Sequence, residues 1–150
     1  HNCLVGSEMC IRDRLKMEQF ILQTNLLSNI YLIAISIMVQ FIIYPSFKNY
    51  SDSSFKSFHS GYTKKMFFIV GPFMIIELIS SLYLLNISSF LAPTILVVLI
   101  WASTFFLIVP IHNSLNISFD LIKHKKLIRL NLIRTIFWVL KFIIIIWTLI

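Results

Sequence analysis

Four polar side chains recur at helical spacing near the C-terminal end of the chain. Asn131, Arg134, Trp138 and Lys141 are separated by three, four and three residues, so at about 100° per residue they share one face of an α-helix. The opposite face holds leucine, isoleucine, phenylalanine and valine. The pattern predicts a polar stripe that faces the interior of the protein, where its arginine would orient an anionic or phenolic group.

An acidic residue, Glu77, is the predicted partner of this stripe. It follows Lys65 by 12 residues, and Lys141 follows Arg129 by the same number. If both helices start at the same membrane surface, each charge lies about 18 Å deep, near the middle of a hydrocarbon core about 30 Å thick. An isolated charge there costs at least about 3 kcal/mol, so a direct Glu77–Lys141 ion pair is predicted. Two roles stay open: fixing the register of two helices, or handling a ligand or a proton.

Polar and aromatic residues on the other helices are predicted to face the same interior. Gln40 and Tyr44 share one face of the first helix, and Trp101 and His112 share one face of the third. The full set of candidate ligand-binding residues is Gln40, Tyr44, His59, Tyr62, Glu77, Trp101, His112, Asn131, Arg134, Trp138 and Lys141.

The histidines are candidates for acid–base chemistry. His59 and His112 are both predicted near the cytoplasmic interface, where they would act as proton donors or acceptors. A metal or haem role is disfavoured because neither belongs to a cluster with ligand spacing. His124 lies between Lys123 and Lys125 and is expected to be a solvated loop residue. The sequence specifies no cofactor.

The composition places these residues in a membrane protein. Of the 150 residues, 58% are hydrophobic and 13% are charged, against about 25% charged in soluble domains, and the mean hydropathy is +0.87. Four apolar stretches reach the roughly 20 residues that cross a hydrocarbon core. They predict an all-α, four-helix transmembrane bundle with helices at about 26–44, 66–85, 91–111 and 130–150.

Basic residues orient this predicted bundle. The loops at 45–65 and 112–129 carry four lysines or arginines each, whereas 86–90 carries none. Both basic loops are therefore predicted to be cytoplasmic, with both termini outside, in the inner (cytoplasmic) membrane of a bacterial cell. The lipid bilayer is the expected partner. Nucleic-acid binding is not predicted, because topology accounts for the basic residues and no recognition motif accompanies them.

The first residues have a different character from the rest. Residues 4–14 (LVGSEMCIRDR) resemble the translation of a sequencing adapter, so we expect 1–16 to be non-native and Met17 to be the native start. Residues 17–150 then form a single membrane domain. Both cysteines, Cys3 and Cys10, lie in the excluded part, so neither a disulfide nor a cysteine-ligated metal is expected in the domain.

Short motifs in the spans resemble a family of small, uncharacterised, four-helix bacterial membrane proteins. In order along the chain they are QFIIYPSF at 40–47, FHSGY at 58–62, VGPFMIIE at 70–77, WAST at 101–104, VPIH at 109–112 and NLIRTIFW at 131–138. The family pattern has tryptophan at the position of Leu132 and arginine at that of Lys141, so the charge is kept but a bidentate fork on Glu77 is not. A more distant resemblance to anthrone-oxygenase-like membrane proteins implies oxidation of aromatic polyketides.

The sequence leaves three functions open. The first is a binding or transport-like protein that holds a small amphipathic molecule, quinone or lipid in the interior polar cluster; transport would require a homo-oligomer, because four helices enclose little space. The second is a membrane oxidoreductase or oxygenase-like enzyme with His59 and His112 as acid–base groups and Arg134 and Tyr62 orienting the substrate. The third is an accessory subunit whose polar residues only fix the bundle.

Overall fold

Four long helices make up almost the whole chain. The computed structural model describes the backbone of residues 2–50 and 52–149, and the side chains of these residues except 2–8, 10, 49, 52, 53 and 88. We name the helices α1 to α4. Their bounds are Asn2–Met38, continued by Val39–Ile43 and Tyr44–Ser46, for α1; Asp52–Tyr83 for α2; Leu91–Ser103, continued by Thr104–Ile108 and Val109–Leu115, for α3; and Leu121–Leu149 for α4. The described ranges contain no strand.

Each helix contains a segment that is long and apolar enough to cross a membrane. These segments are Ile11–Ser46, Ser54–Asn86, Leu91–Leu115 and Leu121–Leu149, and an 18-residue window in each has a mean hydropathy between 2.0 and 2.5. Their outward faces carry large apolar side chains such as Phe68, Phe106 and Ile122, which are 75–79% exposed. A surface of this kind is suited to lipid rather than to water. The predicted all-α, four-helix fold is confirmed, and the chain is a multi-pass membrane protein.

The helices extend beyond the predicted apolar stretches. α2 begins at Asp52 rather than near residue 66, and α4 begins at Leu121 rather than near residue 130. Most of the two predicted basic loops is therefore helical, and Lys56, Lys64 and Lys125 project from the exposed sides of the first turns. Hydropathy identifies only the part of a helix that contacts lipid. The helix itself continues beyond that part, because its charged side chains reach water and its backbone hydrogen bonds stay intact.

The four helices pack as a ring. The closely packed pairs are α1–α2, α2–α3, α3–α4 and α1–α4, and short connections make consecutive helices antiparallel. Three apolar clusters fill the interior at successive levels; Leu115 lies in the cluster near the basic end, Trp138 in the middle cluster and Ile145 in the third. In a ring, a long polar side chain that reaches the axis meets groups from the diagonal helix as well as from its neighbours.

Two prolines shape the helices that line the site. Pro45 and Pro110 each follow a π-helical turn, Val39–Ile43 and Thr104–Ile108. Proline has no N–H, and its ring would clash with the carbonyl four residues back. In both helices the turn widens, and the N–H before proline bonds a carbonyl five residues back. α1 and α3 thus stay continuous. Each carries an aromatic side chain with a polar atom within two residues of its proline, Tyr44 in α1 and His112 in α3.

Candidate functional site

The Glu77 carboxylate is the centre of the deepest polar layer. Its Oε1 accepts hydrogen bonds from Lys141 Nζ at 2.7 Å and Asn29 Nδ2 at 3.0 Å, and its Oε2 accepts one from Trp138 Nε1 at 3.0 Å. Glu77, Lys141 and Asn29 are fully buried. The predicted ion pair is confirmed, because the two charges meet between the diagonal helices α2 and α4. We call Asn29, Glu77, Trp138 and Lys141 the acid layer.

Asn25 extends the acid layer and was missed in the sequence. Its Nδ2 lies 3.1 Å from the carbonyl oxygen of Glu77, 2.7 Å from Ser80 Oγ and 2.9 Å from Ser81 Oγ. These contacts fasten α1 to α2 one helical turn beyond the ion pair. The spacing held a usable signal, because Asn25 precedes Asn29 by four residues and therefore lies on the same helix face.

A second polar layer holds Arg134 in place. Its Nη2 donates to Asn131 Oδ1 at 2.8 Å, and Asn131 Nδ2 donates to Gln40 Oε1 at 2.8 Å. The guanidinium carbon lies 5.1 Å from the centroid of the Trp138 ring, within the range of a cation–π contact. We call Gln40, Asn131 and Arg134 the amide layer; it orients the guanidinium without neutralising it.

Arg134 has no acidic partner within the part of the chain that the structure describes. The described residues form three ion pairs, and none of them includes Arg134. Its Nε is buried and has no hydrogen-bond acceptor among the described residues, and the same holds for Trp101 Nε1. Buried donors are almost always satisfied in folded proteins, so each exception needs an explanation. Here the Nε of Arg134 and the Nε1 of Trp101, on different helices, both lack an acceptor in the described part of the chain.

The third layer is a hydrogen-bonded chain of rings near the basic end. Tyr44 Oη lies 3.2 Å from His112 Nε2, His112 Nδ1 lies 3.0 Å from His59 Nε2, and His59 Nδ1 lies 2.6 Å from Asn116 Oδ1. The chain links α1, α3, α2 and the end of α3. His59 is fully buried, and His112 and Asn116 are half-buried. We call Tyr44, His59, His112 and Asn116 the histidine chain.

The end of the chain fixes its direction. Asn116 Oδ1 is only an acceptor, so His59 Nδ1 must carry a hydrogen. In a neutral His59 the other nitrogen, Nε2, then accepts from His112 Nδ1–H, which leaves His112 Nε2 as an acceptor for the Tyr44 hydroxyl. Asn116, another residue missed in the sequence, follows His112 by four residues and lies on the same helix face.

A cavity of about 770 Å³ opens beside these layers. Its size is in the range of sites for small molecules. It lies against all four helices, with most of its wall on α2 and α3. Six candidate residues line it: Tyr44, Tyr62, Trp101, His112, Arg134 and Trp138. Two cations, Lys64 and Arg134, line the cavity, and no acidic residue is among its described lining residues.

The mouth of the cavity is apolar. Phe67, Phe68 and Phe105 line it and are 54–75% exposed on the outer faces of α2 and α3. Both helices are membrane spans at this height, so the opening between them faces lipid. Gly71 forms part of the wall, where an added Cβ would meet only the side chain of Phe67, at 4.0 Å. The most exposed part of the cavity lining therefore lies on the apolar outer surface of two adjacent helices.

The structure divides the predicted site into a cavity wall and its support. Gln40 and Asn131 lie behind Arg134, and His59 lies behind His112, so these three position residues of the wall. Glu77 and Lys141 do not line the cavity and touch it only through Trp138. This placement favours the register role of the ion pair over direct ligand contact.

The expectation for His124 was wrong. The residue lies on the first turn of α4, is fully buried and contacts the carbonyl oxygen of Tyr44 through Nε2 at 2.7 Å. Phe47 and Phe119 pack against its ring. The lysines on either side point outward while the helical period turns His124 inward. His124 therefore fastens α4 to the end of α1.

Comparison with family models, curated proteins and solved structures finds no match for this chain. The family resemblance of the short motifs stays a prediction. Within the described residues, histidine, cysteine, aspartate and glutamate side chains form no group of three or more placed to hold a metal ion.

Proposed function

We propose that this protein binds an anionic amphiphile whose apolar body lies in the cavity and whose charged head lies at Arg134. The observation that carries the proposal is the imbalance of the wall, which has two cations, Lys64 and Arg134, and no acid among its described lining residues. Arg134 and Trp101 both line the cavity, and Arg134 Nε and Trp101 Nε1 have no acceptor among the described residues; a head group rich in acceptor oxygens suits such donors.

The energy of an unpaired arginine supports an anionic ligand over a neutral one. A cation in the middle of a membrane helix costs about 2.5 kcal/mol or more, even when it is partly compensated. Asn131 and Trp138 contribute a neutral hydrogen bond and a cation–π contact to Arg134, but neither supplies a negative charge. A bound carboxylate, sulfate or phosphate oxygen would offset that cost, and its charge-assisted hydrogen bonds are about twice as strong as neutral ones.

The apolar mouth supports entry from the bilayer. An amphiphile already dissolved in lipid would pass between α2 and α3 without leaving an apolar environment, and its head would meet Lys64 or Arg134 at the wall. Phe67 and Phe105 at the mouth of the cavity would remain in contact with the apolar chain of the ligand. Binding in this form does not require an aqueous path through the bundle.

Exposed lysines and arginines support one orientation in the membrane. All eight basic residues in 45–65 and 112–129 are exposed and lie at the same end of the bundle. We place this end in the cytoplasm and both termini outside, in the inner membrane of a bacterial cell. The histidine chain then lies near the cytoplasmic surface. The oxidoreductase and accessory-subunit hypotheses, and a homo-oligomer, stay predictions because no contact described above favours them.

Binding of a single-chain amphiphile to the purified protein in nanodiscs tests the proposal. We expect hexadecanoate to bind, and Arg134→Gln to weaken its affinity by about tenfold or more, as expected for loss of a charge-assisted hydrogen bond of about 1.5–3 kcal/mol. The matched control is Arg129→Gln, which removes an exposed arginine from the same helix outside the cavity. The measurement is fluorescence quenching by a brominated hexadecanoate. Equal affinity of Arg134→Gln and the unmodified protein would refute the proposal.

A further inference from the structure

We propose that the His112–His59 pair accepts the proton of the bound ligand, so that a long-chain carboxylic acid enters from the bilayer in its neutral form and is held as a carboxylate. This inference rests on the proposed function and names the class of ligand. It is carried by the position of His112, which lines the cavity together with Arg134, and by the three hydrogen bonds of the histidine chain.

The histidine chain presents a base to the cavity. Asn116 fixes the hydrogen of His59 on Nδ1, His59 in turn fixes the hydrogen of His112 on Nδ1, and the remaining lone pair of His112 lies on Nε2. The group that meets Nε2 is the hydroxyl of Tyr44, which also lines the cavity. An imidazole whose far nitrogen is oriented by a second group has the arrangement of a general base.

Proton transfer to this pair breaks none of the support. Tyr44 relays the proton: the O–H bond of the acid breaks and a new O–H bond forms on the Tyr44 oxygen, while the original Tyr44 O–H bond breaks and an N–H bond forms at His112 Nε2. The electron pair of the acid's O–H bond stays on the carboxylate. Tyr44 then accepts a hydrogen bond from His112 and donates one to the carboxylate. If the Nδ1 hydrogen of His112 then moves to His59 Nε2, His112 is neutral again and His59 carries the charge, while its Nδ1–H still donates to Asn116. The proton is shared between two rings and is not released to lipid.

The charges around the pair make proton uptake depend on the anion. The titratable and charged groups that face the two rings are Tyr44 on α1, Tyr62 on α2, and His124 and Arg134 on α4. None of these four side chains is a carboxylic acid. In the empty cavity a protonated imidazole would face Arg134 with no negative charge between them. A carboxylate beside Arg134 supplies that charge, so the anion and the proton stabilise each other inside the protein.

The acid strength of the ligand selects its class. In water the pKa of a carboxylic acid is about 2 below that of imidazolium, whereas that of a phenol is about 3.5 above it. Proton transfer to an imidazole is therefore much more favourable from a carboxylic acid than from a phenol. Sulfates and phosphate diesters have no such proton to give and do not become neutral in lipid. A long-chain carboxylic acid meets both requirements, a neutral form for the apolar mouth and an anion for Arg134.

Infrared spectroscopy of hexadecanoic acid labelled with carbon-13 at the carboxyl carbon tests this inference. The acid is added to the protein in nanodiscs at a pH at which protein-free nanodiscs show mainly the carboxylic acid band. We expect the bound ligand to show the carboxylate band in the unmodified protein. In His112→Gln, whose side chain hydrogen-bonds but cannot hold a proton, we expect that band to be lost and the carboxylic acid band to replace it. His59→Gln should lower the carboxylate band by a smaller amount.

Matched controls separate proton acceptance from folding. His124→Gln changes a buried histidine outside the histidine chain and should keep the carboxylate band. Methyl hexadecanoate, which has no proton to give, should bind to His112→Gln as it does to the unmodified protein. A carboxylic acid band in the unmodified protein, or a carboxylate band that persists in both His112→Gln and His59→Gln, would overturn the inference. If His112→Gln does not fold, the unmodified protein and His59→Gln decide.

The same samples distinguish failure of this inference from failure of the proposed function. If Arg134→Gln binds the acid as tightly as the unmodified protein does, the proposed site itself is wrong. If binding depends on Arg134 but the bound ligand keeps its proton, the cavity binds the ligand at the proposed position but does not accept its proton. In that case the ligand is held as a neutral acid and the histidine chain is structural.

Discussion

Glu77 distributes its two carboxylate oxygens among three donors that come from α1 and α4. The acid layer was predictable in part, because opposite charges at equal depth in two helices that start at the same membrane surface can offset the cost of burying each other in lipid. Trp138 was recognised as an interior residue, but its bond to the carboxylate, like that of Asn29, depends on side-chain rotation, which helix periodicity does not specify. The distances in the structure decide these contacts.

Removal of one partner of the buried ion pair should destabilise the protein strongly. We expect Glu77→Gln or Lys141→Met alone to lower the free energy of unfolding by about 3–5 kcal/mol, because each leaves an unpaired buried group. The double variant should recover much of this loss. Asp120→Asn is the control, since it removes the charge from an exposed pair with Lys123 at 3.9 Å and should change stability by less than about 1 kcal/mol.

Unfolding by sodium dodecyl sulfate, followed by tryptophan fluorescence, measures these differences. A register role for the pair requires that the single variants lose stability while their affinity for hexadecanoate at a temperature where they are folded stays close to that of the unmodified protein. Single variants that unfold normally but no longer bind the amphiphile would show instead that Glu77 and Lys141 belong to the binding site.

At the scale of the helix, the polar faces were predictable and the helix ends were not. The stripe on α4 follows from spacing alone, and the structure turns Asn131, Trp138 and Lys141 inward as predicted. The starts of α2 and α4 were missed because the charged first turns lower the hydropathy without breaking the helix. The π-helical turns before Pro45 and Pro110 lack a sequence signature beyond the prolines themselves.

Gly71 offers a way to close the cavity without distorting α2. A side chain added there meets no atom nearer than 4.0 Å at Cβ, so Gly71→Leu should fill part of the cavity and weaken hexadecanoate binding by about tenfold or more. Stability should stay the same or rise by up to about 1 kcal/mol, since leucine is a better helix former than glycine.

The matched variant is Gly61→Leu, on the same helix but outside the cavity lining. An added Cβ there has nothing within 4 Å, so this change tests the general effect of replacing a glycine in α2. Calorimetric titration with hexadecanoate, together with thermal unfolding, measures both variants. Unchanged affinity in Gly71→Leu would mean that the amphiphile does not use this cavity.

At the scale of the whole molecule, the number of spans was predictable from hydropathy, and the cavity was not. Its volume depends on how far α2 and α3 separate near Phe67 and Phe105, and no pattern in a single helix encodes that distance. Six of the eleven candidate residues nevertheless line it, and their role in binding stays a prediction. Charge in a lipid environment restricts where a residue faces much more strongly than apolar character does.

Labelling of single cysteines tests the proposed orientation. In a chain with Cys3 and Cys10 replaced by serine, Ser89→Cys lies in the exposed connection between α2 and α3, and Lys125→Cys lies on the exposed basic end. We expect a membrane-impermeant maleimide to label position 89 in intact spheroplasts and position 125 only after permeabilisation. The reverse pattern would place the basic end and the histidine chain outside the cell.

The position of a bound amphiphile can be read most directly by photochemical cross-linking. Hexadecanoic acid that carries a diazirine in its chain should cross-link to the cavity mouth formed by Phe67, Phe68 and Phe105 when the protein is irradiated in nanodiscs, as mapped by mass spectrometry of peptides. Arg134→Gln and Gly71→Leu should each remove most of this product. Cross-links spread over the outer surface, on residues such as Ile122 and Trp147, and unaffected by either substitution, would contradict a binding site between α2 and α3.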